Sequence, residues 1–161
     1  MLVKKRHIRR NVMSNIKWML VLAALLVSGC KEAQPTVLYT PPALAQEWSV
    51  KMTQSGGIMG LLRNIEAASD GKFTVNDERA GTTVTGELTD GKLAELQRLV
   101  TEMTFTAPEI PAVCADCFVY EVQIESGGKK MIAQADDISL PDSGMEALVE
   151  FLRGIMDSAL P

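Results

Sequence analysis

Residues 1–29 decide how much of this chain is left to fold. Lys4, Lys5, Arg6, Arg9, Arg10 and Lys17 crowd its first 17 positions, which hold no acidic residue. An apolar run follows from Trp18 to Val27, then the small pair Ser28-Gly29, then Cys30. A basic head, an apolar stretch of about ten residues and a small-residue cleavage site make a secretory signal peptide, which the processed protein lacks. The run is too short for a transmembrane helix, which needs roughly 20 apolar residues. Met13 precedes a complete signal of normal length and is a second candidate start.

The segment Val27-Ser28-Gly29-Cys30 resembles the lipobox of bacterial lipoproteins. That resemblance implies cleavage before Cys30, a diacylglyceryl group on its thiol, and export. The domain would then stand outside the cytoplasm, lipid-anchored to the cell membrane or the outer membrane. Lys31 in place of an aspartate after the cysteine points away from inner-membrane retention. The alternative is an ordinary signal with an incidental cysteine, an odd thiol in an oxidising compartment.

Loss of residues 1–29 removes six of the 16 basic residues and none of the 20 acidic ones, so ten basic residues face 20 acidic ones at a net charge of −10. Such a balance argues against nucleic acid or an anionic membrane surface as a partner. The one histidine, His7, leaves as well. Without it the chain has no Ser-His or Cys-His dyad and no histidine zinc site, so we expect no enzyme, no metal and no cofactor. Cys30 and residues 31–46 read as an anchor and tether, with Pro35, Pro41 and Pro42 among small and polar residues. The tether would reach at most about 50 Å. Residues 47–161 then suffice for one core and are too few for two.

The domain is expected to be α+β, an antiparallel sheet packed by two amphipathic helices. Glu47 to Gln54 alternates, with Trp48, Val50 and Met52 on one face. After Ser55-Gly56-Gly57, Ile58 to Ala68 can return as a second strand. Ser69-Asp70-Gly71 predicts a type I′ hairpin turn. Lys72 to Asp77 and Thr82 to Leu88, separated by the polar loop Asp77–Gly81, complete a four-strand meander. Thr89 suits the N-cap of a helix carrying Leu93, Leu96, Leu99, Val100 and Met103 on one stripe. Pro108 and Pro111 close that region. Cys117 to Glu125 alternates, Ser126-Gly127-Gly128 turns the chain, and Lys129 to Ala135 returns as a second hairpin. Pro141, Asp142 and Ser143 open the last helix, with a Ser143–Glu146 capping box and a stripe of Met145, Leu148, Leu152 and Ile155.

Few residues carry chemistry. Cys114-Ala-Asp-Cys117 supplies two soft ligands, whereas a tetrahedral zinc or iron–sulfur site needs more. A thioredoxin-like role would place the pair at a helix N-terminus, but here a proline-flanked loop leads into a strand. We expect a short disulfide pinning that loop, with redox or metal work as the alternative. Gly56-Gly57 with Gly60 lacks the lysine, the helix and the spacing of a phosphate cradle. The carboxylates are scattered along turns and helix faces, as solvated surface is.

One stretch says more. Val50-Lys-Met-Thr-Gln-Ser-Gly-Gly-Ile-Met-Gly60 resembles the opening of the emfourin family, the protealysin-inhibitor-like proteins. Further pieces are similar and in the same order: the leucine-rich helix Leu93–Met103, a proline loop, the aromatic strand Cys117–Ile124, a Gly-Gly turn, a return strand, and Leu140-Pro141 before the final helix. The likeness spans nearly all of residues 48–157. It implies an antiparallel sheet with helices, and inhibition of thermolysin-like zinc metallopeptidases. The chain departs from the pattern in its lipid signal, its Cys114–Cys117 pair and its longer meander around Asp70 to Gly81.

The expected function is therefore a membrane-anchored, protein-binding lipoprotein that inhibits a thermolysin-like metallopeptidase. The alternative is a structural or assembly lipoprotein of the cell envelope with a different protein partner. The candidate contact loop is Ser55, Gly56, Gly57, Ile58, Met59 and Gly60, with Asp77–Gly81 as a possible second contact. Ile58 and Met59 could stand at its tip, or could begin the second strand and pack inward.

Overall fold

Six strands wide, the main sheet is built around a strand whose every second side chain is buried. The computed structural model describes residues 37–107 and 114–160, so the signal peptide, Cys30, the first part of the tether, Pro108 and Pro111 lie outside the described residues. The elements run β1 Leu38–Tyr39, β2 Trp48–Gly56, β3 Leu61–Ala68, β4 Lys72–Asp77, β5 Thr82–Glu87, α1 Asp90–Glu102, β6 Phe105–Thr106, β7 Phe118–Ser126, β8 Lys129–Asp136 and α2 Glu146–Ala159. The main sheet has the order β5-β4-β3-β2-β7-β8, and β1 pairs with β6 in a separate two-stranded ribbon. Every pairing is antiparallel. The α+β class and the antiparallel sheet are therefore as the sequence indicates.

Alternation decides which face is covered. Trp48, Val50 and Met52 of β2 are buried with Ile65 and Ala67 of β3, Val75 of β4, Tyr120, Val122 and Ile124 of β7, and Ala133 and Ala135 of β8. The same core holds Leu96 and Val100 of α1, and Leu148, Val149, Leu152, Ile155 and Met156 of α2. Successive strand side chains point to opposite faces, so the other face carries Lys51, Thr53, Glu66, Glu121 and Gln123 toward water. At ~1.5–3 kcal/mol per fully buried large apolar side chain, this core supplies the main driving force for folding.

Several local expectations change. The second strand begins at Leu61 rather than Ile58, because Gly57–Gly60 closes a turn through Gly60 N–H donating to the Gly57 carbonyl at 2.9 Å. The hairpin at Ser69-Asp70-Gly71 is not type I′, which needs positive φ at both central residues. No non-glycine residue has positive φ among the described residues. Gly71 N–H closes onto the Ala68 carbonyl at 2.9 Å, and Gly71 itself takes φ 83°. That is the three-residue loop in which a left-handed glycine forms a bulge. Asp70 fixes it by accepting from Lys72 N–H at 3.0 Å.

At α1 the Thr89 cap forms, its hydroxyl accepting from Lys92 N–H at 3.4 Å. At α2 the expected capping box does not, since the N-cap is Met145 and makes no side-chain hydrogen bond. Ser143 is buried in the preceding turn instead, donating to the Leu140 carbonyl at 2.7 Å and accepting from Met145 N–H at 3.1 Å. The folded body also extends before residue 47 among the described residues. Ala45 N–H donates to the Ser126 hydroxyl at 2.7 Å, that hydroxyl donates to the Ala43 carbonyl at 3.1 Å, and Leu44 packs on the core. The second half of the expected tether is thus part of the folded body.

Candidate functional site

The end of the sheet where β2 passes into β3 carries the most exposed large apolar side chains among the described residues. Ile58 is 86% and Met59 79% exposed, so neither packs inward. Both sit between Gly57 and Gly60 at the centre of the turn, with φ negative, while Gly56, Gly57 and Gly60 take φ of 99°, 70° and 59°. L-residues pay steeply for such φ values and glycine does not, which is why the tip is framed by glycine.

Space makes the same demand. A Cβ on Gly56 would stand 2.5 Å from the Cys117 carbonyl oxygen, and one on Gly57 would stand 2.6 Å from the Phe118 ring. The closeness is functional in the fold: Gly57 N–H donates to the Cys117 carbonyl at 3.1 Å, joining the tip to the start of β7. Cys114 and Cys117 are disulfide-bonded, so the loop entering β7 is clipped immediately beside the tip.

Two further groups brace this end. Asp137, just past β8, accepts from Phe118 N–H at 2.7 Å and from the Tyr120 hydroxyl at 3.0 Å. Burial, with the Asp137 hydrogen bond adding to it, pushes the Tyr120 phenol up to about 12, so it stays a neutral donor at any ordinary pH. The Arg153 guanidinium lies 5.7 Å from the centroid of the same ring. On the other side, Arg79 donates to the Gly60 carbonyl at 3.0 Å. Arg79 is itself placed by Asp77, whose carboxylate accepts from Arg79 N–H at 3.1 Å, Ala80 N–H at 2.9 Å and Arg63 at 2.7 Å. Asp77 is buried, and the Ala80 N–H bond first, then the Arg63 guanidinium, hold its carboxyl below the usual range.

The loop Ser55–Gly60 and the loop Asp77–Gly81 are thus brought together by one hydrogen bond, and the Cys114–Cys117 loop by another. Arg79, Phe118 and Asp137 are supports that spacing did not single out. Arg79 was accessible only through its place in the polar loop, and Asp137 carries no local signal because its partners are 17 and 19 residues away. Ile138, 61% exposed, follows Asp137 at the same end of the sheet. Among the described residues no three His, Cys, Asp or Glu side chains converge to hold a metal ion. No helix among them is long and apolar enough to cross a membrane. What this end offers chemically is an apolar projection, Ile58 and Met59, on a turn tied by hydrogen bonds to the Cys117 carbonyl and to Arg79. No family model matches the chain, and no match is found among curated proteins.

Proposed function

We propose that this protein is an exported lipoprotein, anchored through Cys30, whose domain binds and inhibits a thermolysin-like zinc metallopeptidase. The observation that carries the reading is the near-complete exposure of Ile58 and Met59 on a glycine-framed turn. Large apolar side chains left in water at a fixed turn gain free energy when a pocket takes them up. Thermolysin-like enzymes favour large apolar residues beside the scissile bond, so either side chain suits that pocket. The emfourin-like order of segments supports the same partner, with the four-strand meander, the second hairpin and the two amphipathic helices as its scaffold.

Stiffness supports an inhibitor over a substrate. A loop that is ordered before it docks avoids the ordering cost of binding. Here the turn closes on itself at Gly57–Gly60, on Cys117 just before β7, and on the Asp77–Gly81 loop through Arg79. Such a loop enters a cleft without unfolding into the extended form that cleavage needs.

The direct test is titration of the purified domain, residues 36–161, against a panel of thermolysin-like peptidases with a fluorogenic substrate. Stoichiometric loss of activity supports the proposal, and full activity of every enzyme at excess protein refutes it. For the anchor, Cys30→Ser should abolish lipid labelling and leave the precursor uncleaved. Normal maturation of that variant would remove the lipid from the reading.

A further inference from the structure

The ribbon of β1 and β6 leaves apolar side chains uncovered at the point where the folded body begins. Val37 is 54%, Leu38 60% and Tyr39 48% exposed. Neighbouring strand residues face opposite ways. Leu38 and Tyr39 are therefore open on both faces of the ribbon, and the Tyr39 ring touches Phe105 only obliquely, at 6.3 Å between centroids. The ribbon is nonetheless fixed: Leu38 pairs with Thr106 and Tyr39 with Phe105, Phe105 is buried, and Thr106 N–H donates to the Ser143 carbonyl at 2.9 Å. It presents a set shape.

We infer that Val37, Leu38 and Tyr39 form a membrane-contact surface that seats the domain on the lipid bilayer. The inference rests on the reading of Cys30 as the lipid attachment. Val37 follows Cys30 by seven positions in the chain. That length spans at most about 25 Å fully extended, and less in any other conformation. A lipid on Cys30 fixes that residue at the headgroup level, so the patch stays within reach of the bilayer surface at all times. Tyrosine has an apolar body and a polar tip, the combination enriched where headgroups meet hydrocarbon.

Charge says how the contact works. The processed chain is acidic overall, and between Cys30 and Tyr39 only Lys31 is basic, against Glu32. Attraction to anionic headgroups therefore contributes nothing, and the contact is apolar. Insertion should be no stronger in anionic than in neutral vesicles, and in neutral vesicles insensitive to salt, unlike that of a polybasic segment. The acyl chains supply the affinity. The patch sets orientation, the ribbon entering the interface edge-on with Leu38 on one of its faces and Tyr39 on the other.

The test uses the processed lipoprotein in phosphatidylcholine vesicles with a spin label at exposed Thr40 (Thr40→Cys), which leaves the patch intact. Mass measurement of the same preparation reports whether Cys30 carries lipid. The expected result is a label more accessible to oxygen than to a water-soluble nickel chelate, unchanged by salt. Val37→Ser, Leu38→Ser and Tyr39→Ser together should return it to water while Cys30 stays lipidated. Equal water accessibility in parent and triple variant, with Cys30 lipidated, overturns the contact but leaves the anchor standing. Spin–spin broadening that unlabelled protein dilutes away also overturns it, showing a second copy on the patch. Absence of lipid in the mass overturns the anchor and the contact together.

Discussion

Truncating both tip side chains, Ile58→Ala with Met59→Ala, removes apolar surface that the fold leaves in water. At 86% and 79% exposure neither side chain has much burial to lose, so unfolding free energy should stay within about 0.5 kcal/mol of the parent. Docking into an enzyme pocket is different, since almost the whole transfer free energy is still available. Fully burying such a side chain is worth ~1.5–3 kcal/mol, and truncating an interface anchor typically costs ~1–3 kcal/mol. The two are neighbours and their effects do not simply add, so the double variant should lose about 2–5 kcal/mol. At 1.4 kcal/mol per decade this is roughly a 30-fold to few-thousand-fold rise in the inhibition constant. Denaturant unfolding and inhibition titration of the same preparation separate the two terms. A folded double variant that inhibits like the parent places the contact elsewhere. One whose midpoint falls by the equivalent of 2 kcal/mol or so would show that these side chains support the core.

Gly57→Ala keeps the tip residues but puts a methyl group against the Phe118 ring at a φ of 70°, so it should cost ~1–3 kcal/mol of stability, read as a lower denaturant midpoint. Reduction of Cys114–Cys117 releases the loop whose carbonyl holds Gly57, and should lower stability by about 2 kcal/mol on loop-closure entropy and weaken inhibition with it. An unchanged melting curve in reductant, with both thiols then alkylated, would refute that support. Asp77 has its carboxyl held below the ordinary range in the fold, so its contribution is present above the unfolded value of about 3.9 and is lost as pH falls through the folded one. Thermal melts should therefore drop in acid below about pH 4, and Asp77→Asn should flatten that slope while lowering stability at neutral pH.

Periodicity made the strands and helices legible because their burial follows local spacing. Trp48, Val50 and Met52 alternate in the sequence and are buried in the structure, and Leu96 and Val100 lie four apart on a helix that buries both. Three other features were decided by contacts that spacing and composition alone do not show. Ser143 with Glu146 has the spacing of a capping box, but burial of Ser143 against the Leu140 carbonyl moves the helix start to Glu146. Residues 43–45 have the composition of a spacer, and only the Ser126 hydroxyl, 81 and 83 positions away, recruits them. Asp70-Gly71 signals a hairpin in either of two loop forms. The three-residue one wins because Asp70 remains at negative φ and Gly71 alone turns left-handed.

The tip is the instructive case. Gly-Gly-Ile-Met-Gly reads equally well as a turn or as the first residues of a strand, since Ile58 is a good strand former and Met59 is apolar. What removes the strand reading is the approach of β7 to β2, which brings the Cys117 carbonyl and the Phe118 ring against Gly56 and Gly57. With those two positions held at positive φ the chain must turn, and Ile58 and Met59 go outward with no neighbour to cover them. The same contacts that expose the side chains also immobilise the backbone beneath them. Exposure and rigidity of the tip therefore have one origin, so loosening the Cys117–Gly57 join should weaken binding even though no contacting side chain is changed.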